Sequence, residues 1–296
     1  MIIDCHAHFE PRMLVVDQVL ARMDAAGVDR IVMIPTMNDP LPTTPEGLLS
    51  AMRKLMMSRA GRVVAELVHR ATLTPEGDLR LSGRVFTLYD RPDNASVATL
   101  VEAYPARFLG WIFLNPRNNP GVLDELERWR SVQGMIGIKL HPHWHDYRTE
   151  LLNPVLARAE ELGLPVLIHL GFGKRGDFRA ICSKFPRLTV ISAHAGFPFY
   201  KDLWAHHKEH PNLHVDLSSP YIDEALAHAA VAAMGPERCL YGTDAPYGFH
   251  DAAGSYDYGE IKRWVERLPV SSAKREAVFS ENFLALLGKA NVKTTP

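Results

Sequence analysis

The 296-residue chain is long enough for one large domain or two of ordinary size, and its composition is that of a globular protein. Hydrophobic residues make up 47% and charged residues 23%, and no apolar run approaches the roughly 18 residues of a membrane span. The formal net charge is −1 and the basic residues are dispersed, which argues against a nucleic-acid or membrane surface and favours a small-molecule partner.

The N-terminal sequence favours a cytoplasmic protein, and the cysteines form no recognisable framework. The opening sequence MIIDCHAH has no basic region and leads directly into a patterned strand, unlike a secretory signal or a transit peptide. Cys5, Cys182 and Cys239 are odd in number and far apart, which fits neither a disulfide framework nor a CxxC zinc site. Strand alternation places Cys5 on the face opposite its neighbouring histidines, so we expect a buried structural thiol there.

Strand and helix patterns alternate along the chain. The first strand ends at His8, and a helix follows over residues 13–27, where Gly27 is placed as a C-terminal cap. Residues 29–35 form a continuous apolar run, typical of a parallel sheet covered on both faces. The alternation continues to residue 268 and predicts eight strands, beginning near Ile2, Arg30, Phe108, Met135, Pro165, Leu188, Leu213 and Arg238. Eight strand–helix units predict an α/β fold of the (β/α)8 TIM-barrel type.

One connection is too long for a single helix. Residues 41–92, after strand two, are predicted to be an inserted segment with a helix over 44–69 and a hairpin near 79–88. In such barrels the loops after strands lie over the active-site face, so the insertion is interpreted as a lid, a dimer contact or surface elaboration. A last helix over 271–288 is predicted to pack across the outside of the barrel. The whole chain, 1–296, is predicted to be a single barrel domain.

Ionisable side chains end five of the predicted strands, where the catalytic groups of a barrel lie. His6 and His8 end strand one and share a face with Asp4, because alternate strand residues point the same way. The others are Lys139 and His141 after strand four, His169 after five, His194 after six and Asp244 after eight. One histidine in an apolar strand is ordinarily a core residue. Five such ends together predict a catalytic site for Zn²⁺ or a similar divalent ion.

The same residues form a series of motifs: D-x-H-x-H at 4–8, H-x-G at 169–171, A-H-A-G at 193–196 and Y-G-T-D-x-P at 241–246. This series resembles the amidohydrolase superfamily, specifically the amidohydrolase-2 family that includes aminocarboxymuconate semialdehyde decarboxylase. The resemblance covers nearly the whole chain and is weakest over 41–85.

The resemblance implies one divalent ion, with Zn²⁺ expected and Mn²⁺ as the alternative. It also implies the ligands His6, His8, His169 and Asp244, with His194 beside the bound water. In binuclear relatives the strand-four lysine is carboxylated and bridges two metals. Here we expect Lys139 to be a buried amine that bonds a neighbour or a substrate oxygen. A homodimer is expected from the resemblance alone.

The expected reaction is hydrolysis of an ester, lactone or amide bond in a small, cyclic or aromatic carboxylate. A metal-activated water attacks, Asp244 takes its proton, and His194 bonds the attacked oxygen or the leaving group. The alternative is a non-oxidative decarboxylase of the same family, since both reactions use the same ligands. A non-catalytic binding barrel is the alternative from another class.

Weaker signals concern the surroundings of the metal. Asp4 is expected to orient a ligand histidine. Further residues near the strand ends are expected to support the site or contact the substrate: Lys139, His141, Arg117, Trp144, Phe172 and Tyr247. The G-x-G-x-x-G match at 171–176 is not interpreted as a dinucleotide site, because no acidic residue follows about 20 positions later.

Overall fold

The computed structural model describes residues 1–251 and 254–289. Within them, eight parallel strands form one sheet in the order β1, β2, β5, β6, β7, β8, β9, β10, and two short strands form a separate hairpin. The strands are β1 Ile3–His8, β2 Arg30–Ile34, β3 Leu79–Leu81, β4 Arg84–Phe86, β5 Phe108–Phe113, β6 Met135–Leu140, β7 Val166–Ile168, β8 Val190–Ser192, β9 Leu213–Asp216 and β10 Cys239–Leu240. The predicted eight-stranded (β/α)8 barrel is confirmed.

Helices connect consecutive strands and cover the outside of the sheet. They are α1 Val16–Ala26, α2 Glu46–Met56, α3 Arg59–Thr72, α4 Asn94–Ala103, α5 Val122–Arg130, α6 Asn153–Leu162, α7 Phe178–Lys184, α8 Lys201–His206, α9 Glu224–Met234, α10 Gly259–Glu266, α11 Ser272–Glu276 and α12 Asn282–Lys289. Gly27 ends α1 in the left-handed conformation, with φ of 67°, as its position in the sequence predicts. In the part of the chain that the structure describes, no helix combines the length and apolar character needed to cross a membrane.

Backbone hydrogen bonds between β1 and the segment that follows β10 close the barrel. The Cys5 N–H donates to the Tyr241 carbonyl at 3.0 Å, and the Asp244 N–H donates to the His6 carbonyl at 2.6 Å. Barrel closure therefore brings the first predicted metal ligands, at residues 6 and 8, into contact with the last one, at residue 244.

A bulge in β1 changes which of its residues face inward. Asp4 pairs with Ile31 and Ala7 pairs with Met33, so Cys5 and His6 together lie opposite a single residue of β2. Cys5 therefore packs in the cluster that fills the barrel interior, and the prediction that it faces the opposite side from the histidines is wrong. It is buried and free, as expected. The bulge also breaks the alternation by which Asp4 was predicted to share a face with His6 and His8, so that prediction is wrong as well.

The C-terminal helix closes one end of the barrel. Phe283, Leu286 and Leu287 of α12 belong to the interior cluster, and the Phe283 ring lies 6.2 Å from that of Trp111 on β5. The prediction that this helix packs across the outside is therefore wrong. A π-helical turn over Ala277–Glu281 joins α11 to α12.

The insertion after β2 forms two helices rather than one. The predicted helix is broken at residues 57–58, where Ser58 caps α3 by accepting a hydrogen bond from the Gly61 N–H at 3.0 Å. The predicted hairpin is present as β3 and β4, which pair antiparallel. Arg53 ties the insertion to the barrel, because its guanidinium donates to the Pro220 carbonyl at 2.8 Å and lies 3.2 Å from the Asp223 carboxylate.

Candidate metal-dependent active site

The predicted ligands meet at the carboxyl ends of the barrel strands. A cavity of about 450 Å³ opens there, lined by the ionisable side chains His6, His8, Lys139, His141, His169, His194 and Asp244. They come from strands far apart in sequence, and only the barrel geometry brings them together. The cavity volume is in the range of sites for small organic molecules.

His6, His194 and Asp244 form a buried group of donors whose ligand atoms all lie within 4.8 Å of one another. The Asp244 Oδ1 atom is 3.4 Å from His6 Nε2 and 3.1 Å from His8 Nε2. Burial by itself would raise the pKa of Asp244, but the surrounding imidazoles of His194, His8 and His6 lower it below its usual range. Asp244 is consequently an ionised carboxylate at neutral pH.

One residue after β8 and one after β10 have backbone conformations that residues other than glycine rarely adopt. His194 has φ of 56° and Asp244 has φ of 64°, both in the left-handed region, where a side chain strains the backbone. Backbone strain of this kind persists only where surrounding contacts enforce it, and it clusters at functional sites. At both positions it turns the side chain toward the cavity at the end of a strand.

Asp216, at the end of β9, orients two of the histidines. His6 Nδ1 donates to Asp216 Oδ2 at 2.9 Å, and His194 Nδ1 donates to the Ser218 hydroxyl, also at 2.9 Å. The Ser218 hydroxyl in turn donates to Asp216 Oδ1. The hydrogen-bond pattern thus assigns the proton of both rings to Nδ1 and leaves both Nε2 atoms as acceptors, the state in which imidazole binds a metal.

The prediction that Asp4 orients a ligand histidine is wrong. Its carboxylate accepts hydrogen bonds from the backbone N–H groups of His6 and Thr243, each at 3.0 Å, and from the Thr243 hydroxyl. Burial raises the pKa of Asp4 to about 7. Asp4 therefore ties β1 to Thr243, in the segment that follows β10. The carboxylate that bonds the His6 imidazole is that of Asp216.

Asp216, at the end of strand seven of the barrel, is absent from the site residues predicted from the sequence. A usable signal was present, since residues 216 and 218 alternate across Leu217 and so share the inward face.

His169 supplies a further donor. The side chain is buried, and its Nε2 atom has no hydrogen-bond partner among the described residues. Its ring lies 4.6 Å from that of His194 and 4.3 Å from that of His141. Burial lowers the pKa of His169 well below the usual value, and His141 and His194 add to the effect, so the ring is neutral. A buried, neutral and unsatisfied nitrogen beside a histidine–carboxylate group fits a divalent ion.

Lys139 lies at the base of the cavity, fully buried. Its Nζ atom is 3.3 Å from His6 Nε2, and burial lowers its pKa to about 8. The amine therefore lies within reach of the ligand group, and the expectation that Lys139 is uncarboxylated stays a prediction.

The residues predicted to surround the metal divide into two groups. His141, Trp144 and Tyr247 line the cavity. Arg117 and Phe172 do not: the Arg117 guanidinium donates to the His145 carbonyl at 3.2 Å, and Phe172 lines a separate groove. Among the described lining residues, Lys139 is the only lysine or arginine.

The insertion supplies cavity lining that the sequence did not identify residue by residue. The segment before and within α2 covers one side of the opening, through Leu41, Pro42, Thr43, Thr44, Pro45, Glu46 and Leu49. Of the three interpretations of the insertion, this arrangement matches that of a lid.

Comparison with known proteins agrees with this architecture. A family model described as amidohydrolase matches residues 3–289. Among solved structures, an uncharacterized TIM-barrel protein from Bordetella bronchiseptica is 18% identical, with a TM-score of 0.65 and coverage of 98% of this chain and 99% of that one.

Two further similar structures are 16% identical to this chain. One is 5-carboxyvanillate decarboxylase from Sphingomonas paucimobilis, with a TM-score of 0.60 and coverage of 97% and 98%. The other is a dihydroxybenzoic acid decarboxylase from Polaromonas with bound manganese and the inhibitor 2-nitroresorcinol, with a TM-score of 0.61 and coverage of 97% and 96%. Because the family model spans nearly the whole chain, this protein belongs to the amidohydrolase-2 family and is a metal-dependent enzyme.

Proposed function

We propose that this enzyme hydrolyses an ester, lactone or amide bond of a small cyclic or aromatic carboxylate, with Zn²⁺ as its ion. The observation that carries the proposal is geometric: the ligand atoms of His6, His194 and Asp244 all lie within 4.8 Å of one another in the cavity at the strand ends. An ionised carboxylate can accept a proton from water, which hydrolysis requires.

His6, His8, His169 and Asp244 would hold the ion. When bound, a divalent ion supplies Lewis-acid chemistry: it polarises a carbonyl oxygen and makes water a stronger acid. The nitrogen donors and the carboxylate, without a thiolate among them, suit Zn²⁺ in a catalytic setting.

The chain's own groups account for the proton movements. Asp244 Oδ1 lies beside His6 and His8, which leaves Oδ2 to take the proton from the attacking water. The water oxygen bonds to the carbonyl carbon, the bond to the leaving oxygen or nitrogen breaks, and Asp244 returns the proton to that leaving atom.

Two features of the cavity support a cyclic or aromatic carboxylate. Aromatic rings line its walls, from Trp144, Tyr221, Tyr247 and Phe249. The Lys139 amine, with a pKa of about 8, is largely protonated at neutral pH and suits an anionic substrate oxygen.

Decarboxylation is the second candidate. The same aromatic walls suit an aromatic acid, and two of the similar structures are decarboxylases of aromatic acids. A decarboxylase needs a group that delivers a proton to carbon as carbon dioxide leaves. Asp244 Oδ1 lies 3.4 Å from His6 Nε2 and 3.1 Å from His8 Nε2, a position that suits a carboxylate accepting a proton from water beside the ion, and on that ground we rank hydrolysis first.

A substrate panel distinguishes the two reactions. The enzyme, stripped of metal and reloaded with Zn²⁺ or with Mn²⁺, is assayed on lactones, esters, amides and hydroxylated aromatic acids, with product and carbon dioxide both measured. We expect hydrolysis without carbon dioxide. Carbon dioxide release with no hydrolysis in the panel would overturn the first proposal in favour of the second.

A carboxylate substitution tests the role of Asp244. Asp244→Asn keeps the shape but removes the base, so kcat is expected to fall at least 100-fold while the fold is retained. Asp17→Asn, an exposed site on α1, is the matched control and should leave kcat unchanged. Undiminished turnover in D244N would contradict the assignment of the base.

A further inference from the structure

A second group of metal-binding side chains lies on the outside of the barrel, where α8 ends. His206, Glu209 and His210 offer two imidazole nitrogens and one carboxylate oxygen, which all lie within 4.8 Å of one another. None of the three residues lines the cavity at the strand ends. The group is therefore separate from the candidate active site, and the proposed function makes no use of it.

Hydrogen-bonded turns after α8 bring these side chains together. α8 ends at His206, and the Glu209 N–H donates to the His206 carbonyl at 3.1 Å. The His210 N–H donates to the His207 carbonyl at 3.2 Å, and the Leu213 N–H donates to the His210 carbonyl at 3.1 Å. In backbone coiled in this way, residues three and four apart lie on the same side. The two imidazoles and the carboxylate therefore project together.

The distances between the donors suit a small transition-metal ion. His206 Nδ1 lies 3.5 Å from Glu209 Oε2, and the centroids of the His206 and His210 rings are 4.4 Å apart. Ligand atoms around a tetrahedral ion with bonds of about 2.1 Å are about 3.4 Å apart. The His206–Glu209 pair already has this spacing, and the third donor, on the half-buried His210, needs only a small side-chain rotation to reach it.

Two observations distinguish this group from a solvated histidine–glutamate pair at a helix end. The His206 side chain is only 10% exposed, and its Nε2 atom is buried without a hydrogen-bond partner among the described residues. Burial lowers the pKa of His206 below its usual value, and His210 adds to the effect, so the ring is uncharged at neutral pH. An uncharged ring forms no salt bridge with Glu209, whereas neutral imidazole is the form that binds a metal.

The donor set indicates which class of ion binds. Two imidazoles and one carboxylate are ligands of Zn²⁺ and related transition-metal ions, whereas Ca²⁺ and Mg²⁺ take oxygen ligands. Arg179 is an opposing charge near His206, but its guanidinium is exposed and lies over the Phe178 ring at 4.5 Å, where solvent screens it. We propose that His206, Glu209 and His210 bind a Zn²⁺ ion on the outer wall of the barrel, in addition to the ion of the active site.

The outer ion would tie the end of α8 to the turn that leads into β9. It would bridge a residue of the helix, His206, and two residues of the turn, Glu209 and His210. The three ligands lie outside the cavity, so the outer ion is expected to stabilise the fold and to leave kcat unchanged. The proposal does not depend on which reaction the enzyme catalyses.

Equilibrium dialysis against Zn²⁺ counts the ions. The full-length enzyme, first stripped with a chelator, is expected to bind two Zn²⁺ per chain, and His210→Gln and Glu209→Gln are each expected to bind one. Neither side chain is buried, so both variants should keep the circular dichroism of the folded protein. His207→Gln is the matched control and should bind two, because His207 Nδ1 donates to the Trp204 carbonyl at 2.5 Å and the residue is not part of the group.

Asp244→Asn separates the outer ion from the ion of the active site. This variant removes a ligand of the inner ion and should keep the outer one. A wild type with one ion per chain, kept in H210Q and E209Q, would overturn the outer site and leave the active-site ion standing. One ion that is lost in H210Q and E209Q but kept in D244N would support the outer site and contradict the inner one. Loss of an ion in H207Q would show adventitious surface binding and overturn the proposal.

Chemical modification locates the outer ion. Diethyl pyrocarbonate acylates free imidazole nitrogens, and peptide mass spectrometry measures the rate at each histidine. With Zn²⁺ at about ten times the Kd found by dialysis, about one tenth of the sites stay free, so modification of His210 should slow about 10-fold. His207 should react at the same rate with and without Zn²⁺. An unchanged rate at His210, or equal protection of His207 and His210, would overturn the proposal.

Discussion

Asp216 determines what His6 and His194 can do, although it does not face the substrate itself. One carboxylate oxygen bonds His6 directly and the other reaches His194 through the Ser218 hydroxyl. Burial by itself would raise the pKa of Asp216, but His6, His194 and Ser218 lower it below its usual range. An ionised Asp216 keeps both Nδ1 protons in place, and both Nε2 atoms stay available to a metal.

We predict that Asp216→Asn weakens divalent-ion binding by about 10- to 100-fold, the usual effect of losing a partner that orients a metal ligand. The asparagine keeps the volume but can present an N–H group where the carboxylate accepted one. Competition titration with a zinc chelator measures the change, and Asp17→Asn is again the matched control. Unchanged ion affinity in D216N would show that the histidines are oriented by other contacts.

At the scale of the element, the α2–α3 hairpin depends on a close approach of two backbones. A Cβ atom at Gly61 would lie 2.1 Å from the Leu55 carbonyl oxygen, a distance that no side chain tolerates. Gly61 thus lets α3 fold back directly after α2, which places Leu49 and the preceding segment over the cavity. Helical periodicity alone cannot predict this reversal, because the apolar pattern continues across residues 57–58.

We predict that Gly61→Ala lowers the free energy of unfolding by about 1–3 kcal/mol, as overpacking against backbone does. Gly47→Ala, in α2, is the matched control: a Cβ there meets nothing within 4 Å, and the substitution should be neutral or stabilise by up to about 1 kcal/mol. Urea unfolding of the two variants measures the difference. Equal stability of the two would mean that the hairpin shifts freely to accept the methyl group.

At the scale of the whole molecule, buried neutral histidines make the fold sensitive to acid. His145 and His214 are buried, and burial lowers the pKa of each to about 4. The Nδ1 atom of each ring has no partner among the described residues, which suits the neutral form. Between pH 6.5 and 4 the unfolded chain binds protons at these histidines and the folded chain does not.

We predict that the free energy of unfolding falls as the pH is lowered from about 6.5 to 4, by about 1–3 kcal/mol for each of these two histidines. His214→Gln should reduce the slope in this window, because one proton-binding difference is removed. Urea unfolding at several pH values checks both statements. A slope in His214→Gln equal to that of the wild type would mean that His214 is protonated in the folded protein.

Divalent-ion removal should also lower stability, since an ion that binds only the folded state stabilises it by mass action. At a free concentration 100 times its Kd, the ion contributes about 2.7 kcal/mol. We expect Tm to fall when a chelator is added and to recover with Zn²⁺. A Tm indifferent to both treatments would contradict a divalent-ion site in the folded chain.

The order of eight strands and the polar residues at their ends could be predicted from the sequence alone, because both depend on local signals. Apolar runs of strand length, turn residues and helical spacing repeat along the chain, and the ends of parallel strands must converge. The convergence of strand ends is therefore enough to assign the histidines at positions 6, 8, 169 and 194 to one site.

Only the tertiary structure decided which neighbours support that site. The bulge in β1 arises from pairing with β2, so strict alternation misassigned Asp4 and Cys5. The bond from Asp216 to His6 joins residues 210 positions apart. The packing of α12 against the barrel interior likewise joins Phe283, Leu286 and Leu287 to strand residues that are distant in sequence. These contacts are set by where distant segments meet, and a one-dimensional pattern does not contain that information.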